Sequence, residues 1–236
     1  MTTQDTPLEH RARTGVGAAA GGGTGVARGP RGWAVAGVAA GITGLVSIQS
    51  SMGLSADWET TAGDADAIVA GMAGKLGTQL VFHTATVLTT LLLVVFAAGL
   101  ARRLAQQGPA GSLLPSVASG GLLLVAVAGL LGSGLDTQFL FAFAETDKLV
   151  PESGAFYTDW VATIPWLWVG AGLTGVAVAV AALRHGAAPR WIGWVSAVLG
   201  GLTLAAGISP LQYMAGFTGP LWLLVVALGF TLGGRR

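Results

Sequence analysis

The chain predicts an all-α polytopic membrane protein, a six-transmembrane-helix bundle with both termini cytoplasmic, and three features carry that prediction. Apolar residues make up 53% of the sequence and charged residues 10%, against roughly a quarter charged in soluble domains. The apolar residues gather in continuous runs, each near the ~20 residues that a helix needs to cross the hydrocarbon core. The charges between the runs then sort by sign. Arg11, Arg13, Arg28 and Arg31 precede the first run, Arg102 and Arg103 separate the second from the third, Arg184 and Arg190 separate the fourth from the fifth, and Arg235 and Arg236 follow the sixth. Basic connections stay in the cytoplasm. The alternate connections carry Asp57, Glu59, Asp64 and Asp66, then Asp136, Glu145, Asp147, Glu152 and Asp159, with only Lys75 and Lys148 of opposite sign, so they face outward.

Taken in order, residues 1–32 are rich in Gly, Ala, Thr and Arg and poor in large apolar side chains, which predicts a disordered cytoplasmic tail. One transmembrane domain then covers 33–236. Its first span, 33–54, carries Gly37, Gly41 and Gly44 and ends in Ser47, Gln49, Ser50 and Ser51. The second, 76–100, closes on the arginine pair. The third, 113–135, ends where Asp136 and Gln138 break the apolar run. The fourth, 157–183, contains Pro165, which removes an intrahelical hydrogen bond and bends the helix. The fifth, 191–208, stops at Ser209-Pro210, and the sixth, 213–232, contains Pro220. Recurrent glycines in these runs predict close helix contacts, because lipid supplies no hydrophobic drive for helices to associate. Trp160, Trp166, Trp168, Trp191, Trp194 and Trp222 fall mostly near span ends, where indole anchors at the interface. Continuous rather than alternating apolar runs disfavour a barrel. The whole reads as a multi-pass protein of the bacterial inner membrane.

Function classes fall away next. The chain has no cysteine, which removes disulfides, thiolate metal ligands and thiol-cycling redox chemistry. The arginines are spread as the topology rule places them, so no nucleic-acid partner is implied. His83 is the one ionisable side chain inside a predicted span, and a single intramembrane histidine does not make a zinc or iron site. His10 and His185 lie on the cytoplasmic side, away from it, so a bis-histidine haem is excluded and no cofactor is expected.

The polar groups that remain predict a site. Gln79, Thr86 and Thr90 share a helical face with His83, about 12 Å along the helix from Lys75, and such a stripe does not suit lipid. Gln49, Asp136, Gln138, Asp159, Trp160, Trp166, Gln212 and Tyr213 fall at similar depth or at the outer mouth, which predicts a cavity in the outer half of the bundle. A carboxylate such as Asp136 or Asp159 lying against His83 would make the pair a proton relay or a general acid and base. Gly132-Ser133-Gly134 is a weaker motif, the small-residue setting of an intramembrane nucleophile with His83 as its only base.

Asp64 through Leu104, ending in Ala101-Arg102-Arg103-Leu104, and Pro189 through Gly201, beginning Pro-Arg-Trp-Ile-Gly, resemble a bacterial six-helix integral-membrane family known only as a domain of unknown function (the 4386 type). The resemblance covers most of residues 33–232. It implies the architecture and no activity.

Three functions are therefore expected to compete. The first is binding of a membrane lipid or lipophilic small molecule in the outer-half cavity, by Gln79, Thr86, Gln49, Gln138, Trp160, Trp166, Gln212 and Tyr213. The second is a membrane-embedded enzyme acting on an isoprenoid or lipid in the manner of small terpene cyclases, with His83, Asp136, Asp159 or Glu59 handling protons and aromatic rings stabilising a cation. The third is a structural subunit joined to a membrane-protein partner or to further copies of itself.

Overall fold

A computed structural model describes residues 31–145, 148–163 and 167–233. The expected tail lies outside these residues as far as Pro30, as do Asp147, Pro165, Trp166 and the terminal arginines. Helices form the described chain: α1 (Gly32–Met52), α2 (Trp58–Thr61), α3 (Ala65–Gly71), α4 (Leu76–Gln107), α5 (Leu114–Ala144), α6 (Pro151–Thr163), α7 (Val169–His185), α8 (Arg190–Val195), α9 (Gly201–Ile208) and α10 (Ala215–Leu232). A π-helical stretch, Ser196–Gly200, joins α8 to α9, and a 3₁₀ turn, Gln212–Met214, leads into α10. Among the described residues five helical stretches are long and apolar enough to cross a membrane: α1, α4, α5, the continuous Arg190–Ile208 unit, and Gln212–Leu232. The architecture fits a membrane helical bundle.

Three elements differ from the sequence expectation. The second run does not end at Leu100, since α4 continues to Gln107. The third run does not end at Asp136. Phe139, Leu140, Phe141, Ala142 and Phe143 continue the helical, apolar pattern, so α5 runs on to Ala144 and Asp136 lies two turns inside it. The fourth run is not one helix: α6 ends at Thr163 and α7 begins at Val169, either side of the proline. By itself α7, at 17 residues, is an apolar helix shorter than a full span. Pro220, by contrast, lies within α10, which continues to Leu232.

The long helices close into a ring. α1 packs between α4 and α10, α4 against α5, α5 against α7, and α7 against the α8–α9 unit, which meets α10 again. Hydroxyls and small residues make the seams. Ser47 bonds Thr86 at 2.7 Å and Thr89 donates to Thr43 at 2.8 Å between α1 and α4. Thr174 on α7 donates to the Ala118 carbonyl of α5 at 2.8 Å. Thr203 donates to Thr218 at 2.7 Å between α9 and α10.

The π stretch has a side-chain partner of its own. Trp222, fully buried on α10, donates its indole N–H to the Ser196 hydroxyl at 3.0 Å. Ser196→Ala leaves that buried donor unpaired and is expected to cost about 1–2 kcal/mol, while Ser196→Thr keeps the acceptor. Unfolding by SDS titration in bicelles measures both; equal loss for the two variants would show that the hydroxyl is not what matters there.

At one end of the ring the short helices form a cap. Asp57 starts α2 by accepting the Glu59 N–H at 3.0 Å, and Asp64 starts α3 by accepting the Ala67 N–H at 2.9 Å. These acids serve as helix N-caps; hydrogen bonds from the Thr60 side chain and the Glu59 backbone hold the Asp57 carboxyl below its ordinary range. α6 is amphipathic, with Gly154, Tyr157, Thr158 and Val161 buried and Glu152, Phe156 and Asp159 exposed. α3 rests on it at Gly154, where an added Cβ would meet Val69 at 2.6 Å. Arg31, Arg102, Arg103, Arg184 and Arg190 lie at or near the helix ends opposite the cap.

Candidate functional site

α4 and α5 run antiparallel, and α6 crosses their cap-side ends, so three elements each bring one polar side chain to the same point. His83 of α4 pairs through Nδ1 with Oδ2 of Asp136 on α5 at 2.7 Å. Tyr157 of α6 donates its hydroxyl to Oδ1 of the same carboxylate. Asp136 is 1% exposed and His83 24%. The tyrosine ring is fixed from the other side: Phe139 stacks on it with centroids 4.7 Å apart and Phe143 leans against it at 5.5 Å. An ionised carboxylate can only accept hydrogen bonds, and here each of its oxygens receives one.

This arrangement sets the state of the imidazole. A buried aspartate that accepts Nδ1–H orients the ring and leaves Nε2 as the free basic atom, the relation found in acid–base dyads generally. The two ring nitrogens point in diverging directions, so Nε2 is turned away from Asp136. Among the described residues no protein group pairs with it. The neighbouring exposed face of α4 carries Leu80, Thr84 and Leu88.

Gln79 and Thr86 extend the stripe by a turn each way. Gln79 is 1% exposed, and its amide oxygen and nitrogen both lack a hydrogen-bond partner. Thr86 donates to the Phe82 carbonyl at 2.8 Å and meets Ser47. The space beside it, lined by Ser47, Thr86, Thr89, Thr90 and Trp168, is about 20 Å³, room for one water and nothing larger.

The other expected site residues are spread out. Glu59 is exposed on α2 and Gln49 on the outward face of α1. Asp159 is exposed on α6 and lines a recess of about 360 Å³ under the α2–α3 loop with Asp64, Glu152, Ile68 and Phe156. Gln138 is exposed on α5 and lines a different recess, of about 470 Å³, beside Phe139, Glu145 and Lys148. Trp160 is half-buried, with its indole N–H enclosed and unpartnered. Gln212 and Tyr213 sit on the 3₁₀ turn before α10, Tyr213 exposed. Trp166 lies outside the described residues. Ser133 gives its hydroxyl to the Leu130 carbonyl at 2.8 Å rather than to His83. Among the described residues no three His, Cys, Asp or Glu side chains gather as a metal site would need.

Tyr157 is the member that sequence reasoning missed. It marked only the start of an apolar run, although it and Tyr213 are the only tyrosines of the chain, and a hydroxyl entering a span needs a partner as much as a histidine does.

Comparison of the chain with protein-family models, with curated proteins and with solved structures returns no match in any of the three.

Proposed function

We propose that the protein is a six-span protein of the bacterial inner membrane, cap outward and termini cytoplasmic, that binds a lipid or other lipophilic small molecule in its outer half, with the molecule's polar end at His83. In this reading α6 and α7 together make the fourth crossing, as the charge alternation and the six-helix resemblance both require. The observation that carries the binding role is the imidazole held by a buried carboxylate at the edge of the bundle. An ionisable side chain inside a span is costly and calls for a use. A neutral Nε2 beside the apolar face of Leu80 and Leu88 suits a molecule with a long apolar body and a hydroxyl donor at one end.

Acid–base catalysis on such a molecule is the second reading, and the Asp136–His83 pair is what favours it. The proton would pass through Nε2 of His83. Asp136 itself is enclosed by its two donors, and the space of about 20 Å³ beside Thr86 does not take an isoprenoid.

Native mass spectrometry of detergent-purified protein tests the binding role. Wild type and Gln49→Ala are expected to retain the same lipophilic molecule and His83→Ala to lose it. Equal retention by all three, or none in wild type, would overturn the reading. Chemical conversion of the retained molecule by wild type but not by Asp136→Asn would establish the enzyme.

A further inference from the structure

The hydrogen bonds around Asp136 leave Nε2 of His83 as the one nitrogen of the cluster with a free lone pair. The Tyr157 hydroxyl occupies Oδ1 and His83 Nδ1–H occupies Oδ2. With the imidazole neutral, its lone pair is on Nε2 and the cluster carries one negative charge in a nearly dry setting. A proton placed on Nε2 gives an imidazolium, leaves both hydrogen bonds intact, and turns the cluster into an ion pair of zero net charge.

We propose that His83, braced by Asp136 and Tyr157, is a proton-binding site that exchanges with water on the cap side only. The reaction is simple: a proton from that water forms the Nε2–H bond and is returned by the same path. This stands whether or not a lipophilic molecule binds, because it needs only the cluster and what surrounds it.

The surroundings support a single direction of access. Toward the arginine end, the hydroxyls of Thr86, Thr89 and Thr90 are committed: Thr86 to the Phe82 carbonyl, Thr89 to the Thr43 hydroxyl and Thr90 to the Val87 carbonyl. Beyond Thr90 the buried face of α4 is Leu93, Phe96, Ala97, Leu100 and Leu104, each at most 1% exposed. Leu122 and Val125 of α5 continue the apolar lining. Such a plug holds no titratable side chain.

On the cap side the titratable groups of the packed elements are at hand. Lys75 stands at the start of α4, Glu145 just past the end of α5 and paired there with Lys148, Glu152 and Asp159 on the exposed face of α6, and Asp64 and Asp66 at the head of α3. Buried α1 positions near the same level are Ser47 and Ser51, which do not titrate. The surplus of carboxylates raises the local concentration of protons at the open end.

Histidine nitrogen NMR tests the proposal. His10→Gln with His185→Gln leaves His83 as the only imidazole of the chain. In vesicles of phosphatidylethanolamine and phosphatidylglycerol, the alkaline spectrum is expected to show the Nδ1–H tautomer. Acid is expected to move Nε2 to its imidazolium position, and Asp136→Asn to abolish the tautomer preference. An Nε2–H tautomer at alkaline pH, an unchanged Asp136→Asn spectrum, or no titration of His83 would overturn the site.

Sidedness is read in the same vesicles by acidifying only the outer medium. The chain has no cysteine, so Asp66→Cys labelled with an impermeant thiol reagent counts the copies whose cap faces out. The fraction of His83 signal that shifts is expected to equal that count. A shift of all copies, or of the complementary fraction, would overturn one-sided exchange.

Discussion

Asp136→Ala is expected to destabilise the folded bundle by roughly 2–4 kcal/mol, more than any other single polar deletion among the described residues. The reason is its position as acceptor for two donors from two other elements. Its loss leaves the Tyr157 hydroxyl and His83 Nδ1–H facing each other without an acceptor, in a place that water barely reaches, and each unpaired donor costs about 1–2 kcal/mol in a membrane setting. Asp136→Asn keeps the shape but offers one acceptor, so it should fall about halfway. Asp159→Asn, on the exposed face of α6, should stay within about 0.5 kcal/mol of wild type. The pairwise term comes from a double-mutant cycle of His83→Ala and Asp136→Ala followed by SDS unfolding in bicelles. A coupling above about 1 kcal/mol is expected; additivity within about 0.5 kcal/mol would mean that the two side chains do not act together.

The physics of the single span explains which of these features could be read beforehand. Run length and charge sign depend on the bilayer alone, so α1, the Arg190–Ile208 unit and the Gln212–Leu232 unit lie close to the limits that the apolar runs predicted. The polar stripe of Gln79, His83, Thr86 and Thr90 was equally legible, because helical spacing fixes a face without reference to neighbours. What faces that stripe was not. Asp136 looked like the end of a run because Asp-Thr-Gln lowers local hydropathy, whereas Phe139 and Phe143 after it pack against Tyr157 and keep the helix going. Its pairing with His83, at a separation of 53 residues, depends on the register of α4 against α5. That register is set in part where Gly129 lets Thr90 come close, an added Cβ there meeting the threonine methyl at 2.5 Å. Glu59 and Asp159 matched Asp136 in charge and approximate depth; the difference lies in tertiary placement, since both are exposed on cap helices.

Gly121→Ala should be the second large loss, about 2–4 kcal/mol, while the adjacent Gly120→Ala should lie between neutral and about 1 kcal/mol more stable. An added Cβ at Gly121 would sit 2.4 Å from the Gly170 carbonyl oxygen and 2.5 Å from the Thr174 hydroxyl; one at Gly170 would sit 2.3 Å from the Gly121 carbonyl oxygen. Backbone cannot give way locally as a flexible side chain does, so α5 and α7 must separate, and separation stretches the 2.8 Å bond from Thr174 to the Ala118 carbonyl. Gly120 has nothing within 4 Å of an added Cβ, and its gain is small because a chain unfolded within the bilayer already keeps its helices. The contrast isolates helix contact from helix propensity, which affects both positions alike. SDS unfolding of the two variants side by side decides the matter: equal changes would mean that α5 and α7 do not meet at Gly121 and Gly170. That contact has a consequence for the site as well, since α5 carries Asp136 and is held between α4 and α7. A Gly121→Ala chain that still folds should therefore show a weakened preference for the Nδ1–H tautomer at His83, a local spectroscopic reading of a displacement that begins at the far end of α5 from Asp136.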